Sequence, residues 1–197
     1  MIGNPNSGKS SVFNHLTGLR QKVGNFPGVT VEKKSGVCKL PNKQDITVLD
    51  LPGTYSLYPR RSDEWVSYKQ LMSPVEGEEV DLAVVVVDAT ALRRNLLFVS
   101  QVIDLKIPVV VALTMTDLAK KRGLHINTRE LSREMQVPVV SVNARTGKGI
   151  EDLKATICQV LLNNFTAKDF FPVSSLAEEP IAEAPSALLQ WALLPAN

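Results

Sequence analysis

The feature that most constrains this chain is the segment at residues 3–10, which reads GNPNSGKS and fits the spacing GxxxxGK[ST]. This spacing is typical of a loop that runs from a strand into a helix and turns its backbone N–H groups toward phosphate oxygens. Lys9 is placed to span the β- and γ-phosphates of a nucleotide, and the hydroxyl of Ser10 suits Mg²⁺. The apolar spacing that follows, closed by Gly18, predicts a helix whose positive end adds to the same anion site. The pattern can arise by chance, but the helix behind it favours a nucleotide-binding site.

Only Met1 and Ile2 precede this loop, although a phosphate-binding loop normally follows a longer buried strand. We therefore expect the sequence to be a fragment of a longer chain. Its 197 residues, 44% of them apolar, suffice for one main domain, which we place at residues 1–162. Residues 163–197 differ in composition, because prolines and glutamates typical of a linker precede a short predicted helix.

Charge and cysteine content argue against several classes of protein. The net charge is only +2, and no basic stripe with interleaved aromatic residues is present, so nucleic acid is not an expected partner. The two cysteines, Cys38 and Cys158, suggest neither a disulfide framework nor a metal cluster, which fits a reducing compartment. The longest apolar runs are strand-sized and too short to span a bilayer.

The segment at residues 21–32 contains Gly24, Pro27 and Gly28, and we predict a mobile loop without regular structure there. The hydroxyl of Thr30 could reach Mg²⁺ from the side opposite Ser10. The alternative is that Thr30 simply opens the next strand. Two antiparallel strands are predicted after it, at 31–40 and 46–49.

The second of these strands ends in Asp50-Leu51-Pro52-Gly53. An aspartate at the end of a buried strand can hold the Mg²⁺ shell, and the N–H of Gly53 can approach a γ-phosphate closely. Residues 56–72 predict a mobile loop and then a helix. One face of that helix is expected to carry Trp65, Tyr68, Leu71 and Met72, with Trp65 and Tyr68 in the core.

From residue 81 onward, strands and helices alternate. The runs at 81–88, 108–113 and 137–142 predict parallel strands, and those at 92–105, 128–135 and 149–162 predict helices. The buried side of the first of these helices is expected to hold Leu96, Leu97, Val99, Val102 and Ile103. This order predicts an α/β, doubly wound, mostly parallel sheet with helices on both faces and ligand loops at the carboxyl ends of its strands.

Together these segments resemble the Ras-like class of P-loop GTPases, and within it the N-terminal cytoplasmic GTPase domain of the FeoB ferrous-iron transporters. The resemblance covers residues 1–162 and is carried most specifically by 3–10, 23–32 and 50–57. It implies a switch that binds GTP or GDP with Mg²⁺ and hydrolyses GTP slowly. It also implies a helical spacer, of which the tail could be the start or a remnant, and a transmembrane iron-permease domain in the same polypeptide. The location would be the cytoplasmic face of the bacterial inner membrane. A small accessory protein and a second copy of the domain are further partners that the resemblance allows.

The resemblance assigns site residues position by position. Catalytic roles would fall to Lys9, Thr30, Gly53 and Thr54, and Mg²⁺ would be held by Ser10, Thr30 and Asp50. Contacts to the nucleotide would come from five loops, namely Gly3, Asn4, Pro5, Asn6, Ser7, Gly8, Lys9, Ser10 and Ser11; Gly28, Val29, Thr30, Val31 and Glu32; Asp50, Leu51, Pro52 and Gly53; Thr114, Met115, Thr116 and Asp117; and Asn143, Ala144 and Arg145.

The loops that would read the base depart from the family pattern. The usual motif is NxxD, and here Thr114 occupies the asparagine position while Asp117 keeps the guanine-selecting carboxylate. Because the Thr114 hydroxyl offers at most one donor, we expect weaker binding and some relaxation toward ATP, by about tenfold or less. The usual Ser-Ala pair reads Asn143-Ala144, so Ala144 can still present its N–H to the base carbonyl. The sequence assigns no role to the Asn143 amide.

Hydrolysis also departs from the Ras pattern, because Thr54 takes the place of the glutamine that orients the attacking water. Asn6 suggests K⁺ instead, since in a subset of GTPases an asparagine here ligates K⁺ where an arginine finger would lie. Backbone carbonyls of residues 24–28 would complete that cage. The alternative for Asn6 is a turn residue favoured by local hydrogen bonds.

Two other functions stay open at this stage. One is a soluble GTPase in ribosome or tRNA-modification assembly. The other is a nucleotide-dependent binding switch with negligible hydrolysis, which the missing glutamine permits. His15 and His125 are interpreted as structural residues.

Overall fold

The computed structural model of the chain describes residues 1–19, 21–26, 30–58, 62–74 and 79–162. In chain order, its elements are β1 (Ile2–Gly3), α1 (Lys9–Thr17), β2 (Gln21–Asn25), β3 (Glu32–Lys39), β4 (Asp45–Asp50), α2 (Ser62–Met72), β5 (Ala83–Asp88), α3 (Leu92–Ile103), β6 (Val109–Thr114), α4 (Thr116–Lys121), α5 (Thr128–Met135), β7 (Val139–Ser141) and α6 (Ile150–Leu162). The predicted tail at 163–197 and the candidate site residues Gly28 and Val29 lie outside the described residues.

Four parallel strands form the central sheet in the order β1-β5-β6-β7. The valine runs of β5 and β6 are buried on both faces, as expected of parallel strands that are covered by helices. Alternate residues of β5 face opposite layers: Val85 and Val87 belong to the core on the α3 side, whereas Val84 and Val86 belong to the core beneath α1 and α6. The predicted α/β doubly wound class is confirmed.

The second sheet is antiparallel, in the order β2-β3-β4, and it meets the parallel sheet at Met1. The Met1 amino group donates to the carbonyl of Leu49 at 2.6 Å, and the N–H of Leu51 donates to the carbonyl of Met1 at 3.0 Å. β4 therefore runs beside β1. This placement brings Asp50, the last residue of β4, to the edge at which the phosphate loop begins.

A cavity of about 610 Å³ lies at the amino end of β1, between residues 45–49 and 81–84. Met1 lines it, and burial lowers the pKa of the Met1 amino group from 8.0 to about 5. The Asp50 carboxylate opposes this shift in pKa and the Lys9 ammonium adds to it. The start of the strand that delivers the phosphate loop thus contains a buried ionisable group.

The segment predicted as an irregular loop at 21–32 is partly a strand, and this prediction was wrong over Gln21–Asn25. β2 pairs with β3 along its whole length, from Gln21 opposite Gly36 to Asn25 opposite Glu32. Gly24 is tolerated because β2 is an exposed edge strand, and a side chain at that position would meet no atom within 4 Å. Tertiary pairing has overridden weak local propensity.

Two predictions of buried helix faces also need correction. On α2, Trp65 is 48% exposed, and the buried positions are Val66, Ser67, Gln70 and Leu71. Trp65 and Tyr68 instead pack edge to face on each other, with ring centroids 5.5 Å apart. On α3, Leu97 is 56% exposed and Phe98 is buried. The buried stripe of α2 is therefore displaced by about one position from the predicted one, whereas on α3 Leu96, Val99 and Val102 are buried as predicted.

The other elements predicted within the described residues agree with the structure to within a few residues, although α4 was not predicted. Within the part of the chain that the structure describes, no helix is both long enough and apolar enough to cross a bilayer.

Candidate nucleotide-binding site

The phosphate loop is shaped by two glycines that no other residue could replace without strain. A Cβ on Gly3 would lie 2.4 Å from the carbonyl oxygen of Val86 in β5, so β1 can pair closely only without a side chain there. Gly8 is left-handed, with φ of +85°, and forms the N-cap of α1. No side chain caps α1, and its first turn contains no acidic residue. The first amides of α1 therefore have no side-chain acceptor and are available to an anion.

Lys9 and Asp50 form an ion pair at the junction of the two sheets. Both side chains are largely buried, and this contact places the end of β4 directly beside the start of α1. Ser10 follows Lys9 and is exposed. The carboxylate of Asp50 and the hydroxyl of Ser10 are hard oxygen donors of the kind that Mg²⁺ prefers, so these residues fit the predicted magnesium site.

The Asp50–Gly53 turn packs directly on the phosphate loop. A Cβ on Gly53 would lie 3.1 Å from the backbone nitrogen of Pro5, and the N–H of Thr54 donates to the carbonyl of Gly3 at 3.2 Å. The Thr54 hydroxyl donates to the carbonyl of Ser56 at 2.7 Å, and its side chain is buried. The two segments thus form one unit, and the proton of Thr54 is used within its own turn.

A buried polar chain behind the phosphate loop was missed by sequence reasoning. The side-chain amide of Asn4 donates to the Oδ1 of Asn95 on α3, and the Asn95 amide donates to the carbonyl of Asp88 at 3.0 Å. Both asparagines are buried. The signal was available, because Asn95 is a polar residue on the same helical stripe as Val99 and Val102.

Thr114, at the end of β6, connects the loop that was predicted to read the base to the phosphate loop. Its hydroxyl lies 2.7 Å from the carbonyl oxygen of Ser7 and 3.0 Å from that of Val87, and the residue is fully buried. One hydroxyl carries one hydrogen, so it can fully satisfy only one of these two acceptors. Thr114 therefore braces the phosphate loop with one donor where an asparagine amide has two.

The turn after Thr114 exposes the carboxylate that was predicted to select guanine. Met115 is left-handed, with φ of +56°, and forms the N-cap of α4. The Thr116 hydroxyl lies 3.1 Å from that of Ser141 on β7. Asp117 follows in the first turn of α4 and is exposed, and its side chain makes no hydrogen bond or ion pair with any other residue that the structure describes. Its acceptor oxygens are available to a ligand.

The loop after β7 adjoins the phosphate loop and is stabilised by Asn143. The Asn143 Oδ1 accepts from the N–H groups of Arg145 at 3.0 Å and Thr146 at 3.1 Å, which gives this amide the structural role that the sequence left unassigned. The Cβ of Ala144 lies 3.3 Å from the position that a Cβ on Gly8 would occupy. The base end and the phosphate end of the site are therefore in contact.

Several candidate residues take a more peripheral place. Thr30 and Asn6 are exposed and make no side-chain hydrogen bond within the described ranges, although Asn6 is left-handed with φ of +64°. Val31 packs against the core and its carbonyl accepts from the N–H of Phe26, while Glu32 pairs with Lys34 at 3.4 Å. Asn6 lies within the phosphate loop, whereas none of the hydrogen bonds or ion pairs described for Thr30, Val31 and Glu32 reaches that loop.

A phosphate loop at the carboxyl end of β1, in a doubly wound sheet with helices on both faces, defines a P-loop domain of the Ras-like class. Within that class, the chain belongs to the family described as Ferrous iron transport protein B, which matches residues 1–157. The resemblance read from the sequence is confirmed. The Fe(2+) transporter FeoB of Leptospira biflexa is 44% identical over 157 residues, which are 80% of this chain and 22% of that protein.

Two solved structures of the cytosolic domain of the T. maritima FeoB iron transporter are similar to this chain. The GMPPNP form aligns with a TM-score of 0.75 and 39% sequence identity. This alignment covers 81% of the present chain and 62% of the T. maritima chain. GDP form II aligns with a TM-score of 0.77 and 39% sequence identity, and the alignment covers 83% of the present chain and 62% of the T. maritima chain. By comparison with the Leptospira protein, the chain spans about a fifth of its relative's length.

Proposed function

We propose that this chain is a GTP-binding domain that hydrolyses GTP slowly and regulates a bacterial Fe²⁺ membrane transporter of which it forms part. The observation that carries the proposal is the convergence of the phosphate loop, the Asp50–Gly53 turn and two base-reading loops at one edge of the parallel sheet. Similar domains exist in GMPPNP and GDP forms, which supports a guanine nucleotide as the ligand.

A titration with fluorescent GDP tests this proposal. We expect saturable binding that depends on Mg²⁺. Lys9→Ala is expected to lose this binding, because the Lys9 ammonium would leave its ion pair with Asp50 and bind the phosphates of the nucleotide. The matched control is Lys43→Ala, since Lys43 lies in the exposed turn between β3 and β4, at the opposite end of β4 from Asp50. A folded wild-type chain without magnesium-dependent affinity for guanine or adenine nucleotides would contradict the proposal.

The phosphates would bind at the start of α1 and beside Lys9, with Gly53 presenting its N–H to the γ-phosphate. Ser10, Asp50 and Thr30 would hold Mg²⁺, which when bound neutralises charge on the β- and γ-phosphates. Thr30 is exposed in this structure, so its hydroxyl would have to approach the site when the neighbouring segment closes on the nucleotide. Ordering of this segment by GTP is the proposed switch.

At the base end, Asp117 would accept from the guanine N–H donors and Ala144 would donate to the base carbonyl. We infer that guanine selection is relaxed toward ATP, since Thr114 supplies a single donor. A competition titration of GTP against ATP checks this inference. A preference for GTP above about a thousandfold would contradict it, because one neutral hydrogen bond accounts for about tenfold.

We also infer that K⁺ accelerates turnover by compensating charge on the γ-phosphate, with Asn6 as its ligand. Support comes from the exposed, left-handed position of Asn6 within the phosphate loop. Phosphate release is expected to be faster in K⁺ than in Na⁺, and Asn6→Ala is expected to lose this difference. Equal rates in the two salts, or an unchanged response in the variant, would rule the role out.

One observation favours the second candidate function, a nucleotide-dependent binding switch with negligible hydrolysis. The Thr54 hydroxyl donates within its own turn, so it offers no evident side-chain base for the attacking water. Single-turnover phosphate release in K⁺ separates the two functions: release that is catalysed above the rate in buffer supports the GTPase, and its absence supports the pure switch.

The transporter assignment concerns residues outside this chain. We propose that the domain acts at the cytoplasmic face of the inner membrane, on a transmembrane permease domain of the same polypeptide, with a small accessory protein as a further partner. Reading the coding sequence beyond residue 197 tests this assignment, because a series of apolar segments of about 20 residues should follow. A stop codon shortly after residue 197 would contradict the transporter assignment and would favour the alternative of a soluble GTPase in ribosome or tRNA-modification assembly.

A further inference from the structure

His15 makes a contact that sequence reasoning did not anticipate. It lies on the exposed side of α1, and its Nε2 is 3.1 Å from the carbonyl oxygen of Ala144, which is 129 residues away in sequence. A carbonyl oxygen can only accept, so the Nε2 of His15 carries the hydrogen and donates it. The histidine is thus a direct link between α1 and the loop that would read the base.

The imidazole also touches this loop at a second point. Gly147 is left-handed, with φ of +77°, and a Cβ built on it would lie 3.1 Å from both Cε1 and Nδ1 of His15. The ring therefore stands directly against backbone that only glycine leaves open. His15 contacts the loop on both sides of its turn.

The loop is otherwise bonded mainly to itself. Asn143 donates to the carbonyl of Lys148 at 2.8 Å and accepts at its own carbonyl from Gly147 at 2.8 Å. Among the hydrogen bonds of residues 143–148 within the described ranges, those not made by His15 stay inside the loop or reach the start of α6. His15 is the hydrogen-bonding partner that comes from the phosphate side of the site.

The contact fixes one peptide group from both ends. The carbonyl of the peptide between Ala144 and Arg145 accepts from His15, and its N–H donates to the Oδ1 of Asn143. Fixing the plane of this peptide group restricts the backbone torsion angles of Ala144. The direction of the Ala144 N–H is therefore restricted as well. Lys9 and His15 are six residues apart on one helix, a rise of about 9 Å, so α1 extends from the phosphates to the base loop.

We propose that His15 is a positioning residue that holds the Ala144 N–H toward the base carbonyl and slows release of guanine nucleotide. This inference rests on the proposed function, and it deepens it by assigning a determinant of nucleotide residence. His15 itself does not contact the nucleotide. Its effect is transmitted through the peptide that it holds.

The test compares His15→Ala with His15→Gln, whose side-chain amide can donate from nearly the same position as Nε2. Dissociation of fluorescent GDP is expected to be about threefold to tenfold faster in His15→Ala, as befits one lost hydrogen bond, and within about twofold of wild type in His15→Gln. Binding of inorganic tripolyphosphate, which has no base, should be the same in all three proteins. Amide exchange at Arg145 should also rise in the nucleotide-free alanine variant.

Three outcomes would overturn the proposal. One is unchanged GDP dissociation in His15→Ala. Another is failure of His15→Gln to restore slow release. The third is an equal loss of tripolyphosphate binding, which would indicate general damage to α1. A wild-type chain that binds no guanine nucleotide would overturn the proposed function together with this inference, whereas the three outcomes above leave the proposed function in place.

Discussion

The two ends of the site are built in different ways. The phosphate end, residues 3–10 and 50–54, is shaped by backbone: Gly3 fits against β5 only without a side chain, and the start of α1 has no capping side chain. The base end, residues 114–117 and 143–147, is shaped by side-chain hydrogen bonds from Thr114, Asn143 and His15. One end depends on close approach of main chain, the other on a few donors and acceptors.

This difference predicts which substitutions each end of the proposed site should tolerate. A clash between backbone atoms cannot be relieved by a rotamer change, so the phosphate end should respond to substitution with loss of folding or binding. A neutral hydrogen bond is worth about 0.5–1.5 kcal/mol, so the base end should respond with graded changes in affinity. The four predictions that follow test this contrast.

The largest effect is expected from Gly3→Ala. The added Cβ would lie 2.4 Å from the backbone oxygen of Val86, so β1 would have to separate from β5. We expect a loss of more than about 4 kcal/mol in the free energy of unfolding, measured by urea denaturation. Gly24→Ala is the matched control, because a Cβ there meets no atom within 4 Å, and it should change stability by less than about 0.5 kcal/mol. Similar losses in both variants would break the contrast.

The next effect is a pH dependence that originates at the start of β1. In a protein prepared with a free amino group at Met1, burial lowers the pKa of this group from 8.0 to about 5, so the folded chain holds it neutral between these values while the unfolded chain binds a proton. Stability should therefore fall as the pH is lowered from 8 to 5, by about 1.4 kcal/mol per unit and about 3–4 kcal/mol in total.

Acetylation of the Met1 nitrogen provides the control for this prediction. It removes the titration, and the adjacent cavity of about 610 Å³ leaves room for the acetyl group. The difference between the two denaturation series isolates the Met1 contribution from that of acidic side chains. Parallel pH profiles for the free and acetylated chains would show that the amino group does not titrate in this way.

A smaller effect is expected at Thr114, where the two ends meet. Thr114→Val removes the one hydroxyl hydrogen that the buried carbonyls of Ser7 and Val87 share, at a cost of about 1–3 kcal/mol, or about fivefold to 150-fold in GDP affinity. Thr114→Asn, whose amide has two donors, should bind GTP more tightly and raise the GTP-to-ATP ratio by up to about tenfold. Isothermal titration of both nucleotides measures this. Weaker binding of GTP by the asparagine variant would contradict the bracing role.

The smallest effect is expected from Asn143→Ala, which removes the acceptor for two loop amides. GDP dissociation should become about threefold to fivefold faster, with unchanged thermal stability of the fold. Asn143→Asp keeps the acceptor oxygens and serves as the control. An effect as large as that of Gly3→Ala would show that the base end is not graded in the way we propose.

Much of this fold could be predicted from local signals. α5 begins and ends at the predicted residues, and the valine runs of β5 and β6 were recognised because burial on both faces demands continuous apolar sequence. β2 and the rotation of α2 were not predicted. An exposed edge strand has no apolar pattern of its own, and a helix with apolar residues on two sides, such as Trp65 and Leu71, does not reveal which side the core will take.

The sequence by itself determined the phosphate loop at residues 3–10, since eight consecutive residues carry the spacing of glycines, lysine and serine that is typical of such a loop. Only the tertiary structure decided the base end. Thr114 and His15 act across 107 and 129 residues along the chain, and the value of each donor depends on which carbonyl the fold brings within about 3 Å. A motif describes residues that are close in sequence. The hydrogen bonds of a buried hydroxyl or of an imidazole form only once the folded sheet has brought their distant partners close, so the sequence alone does not reveal them.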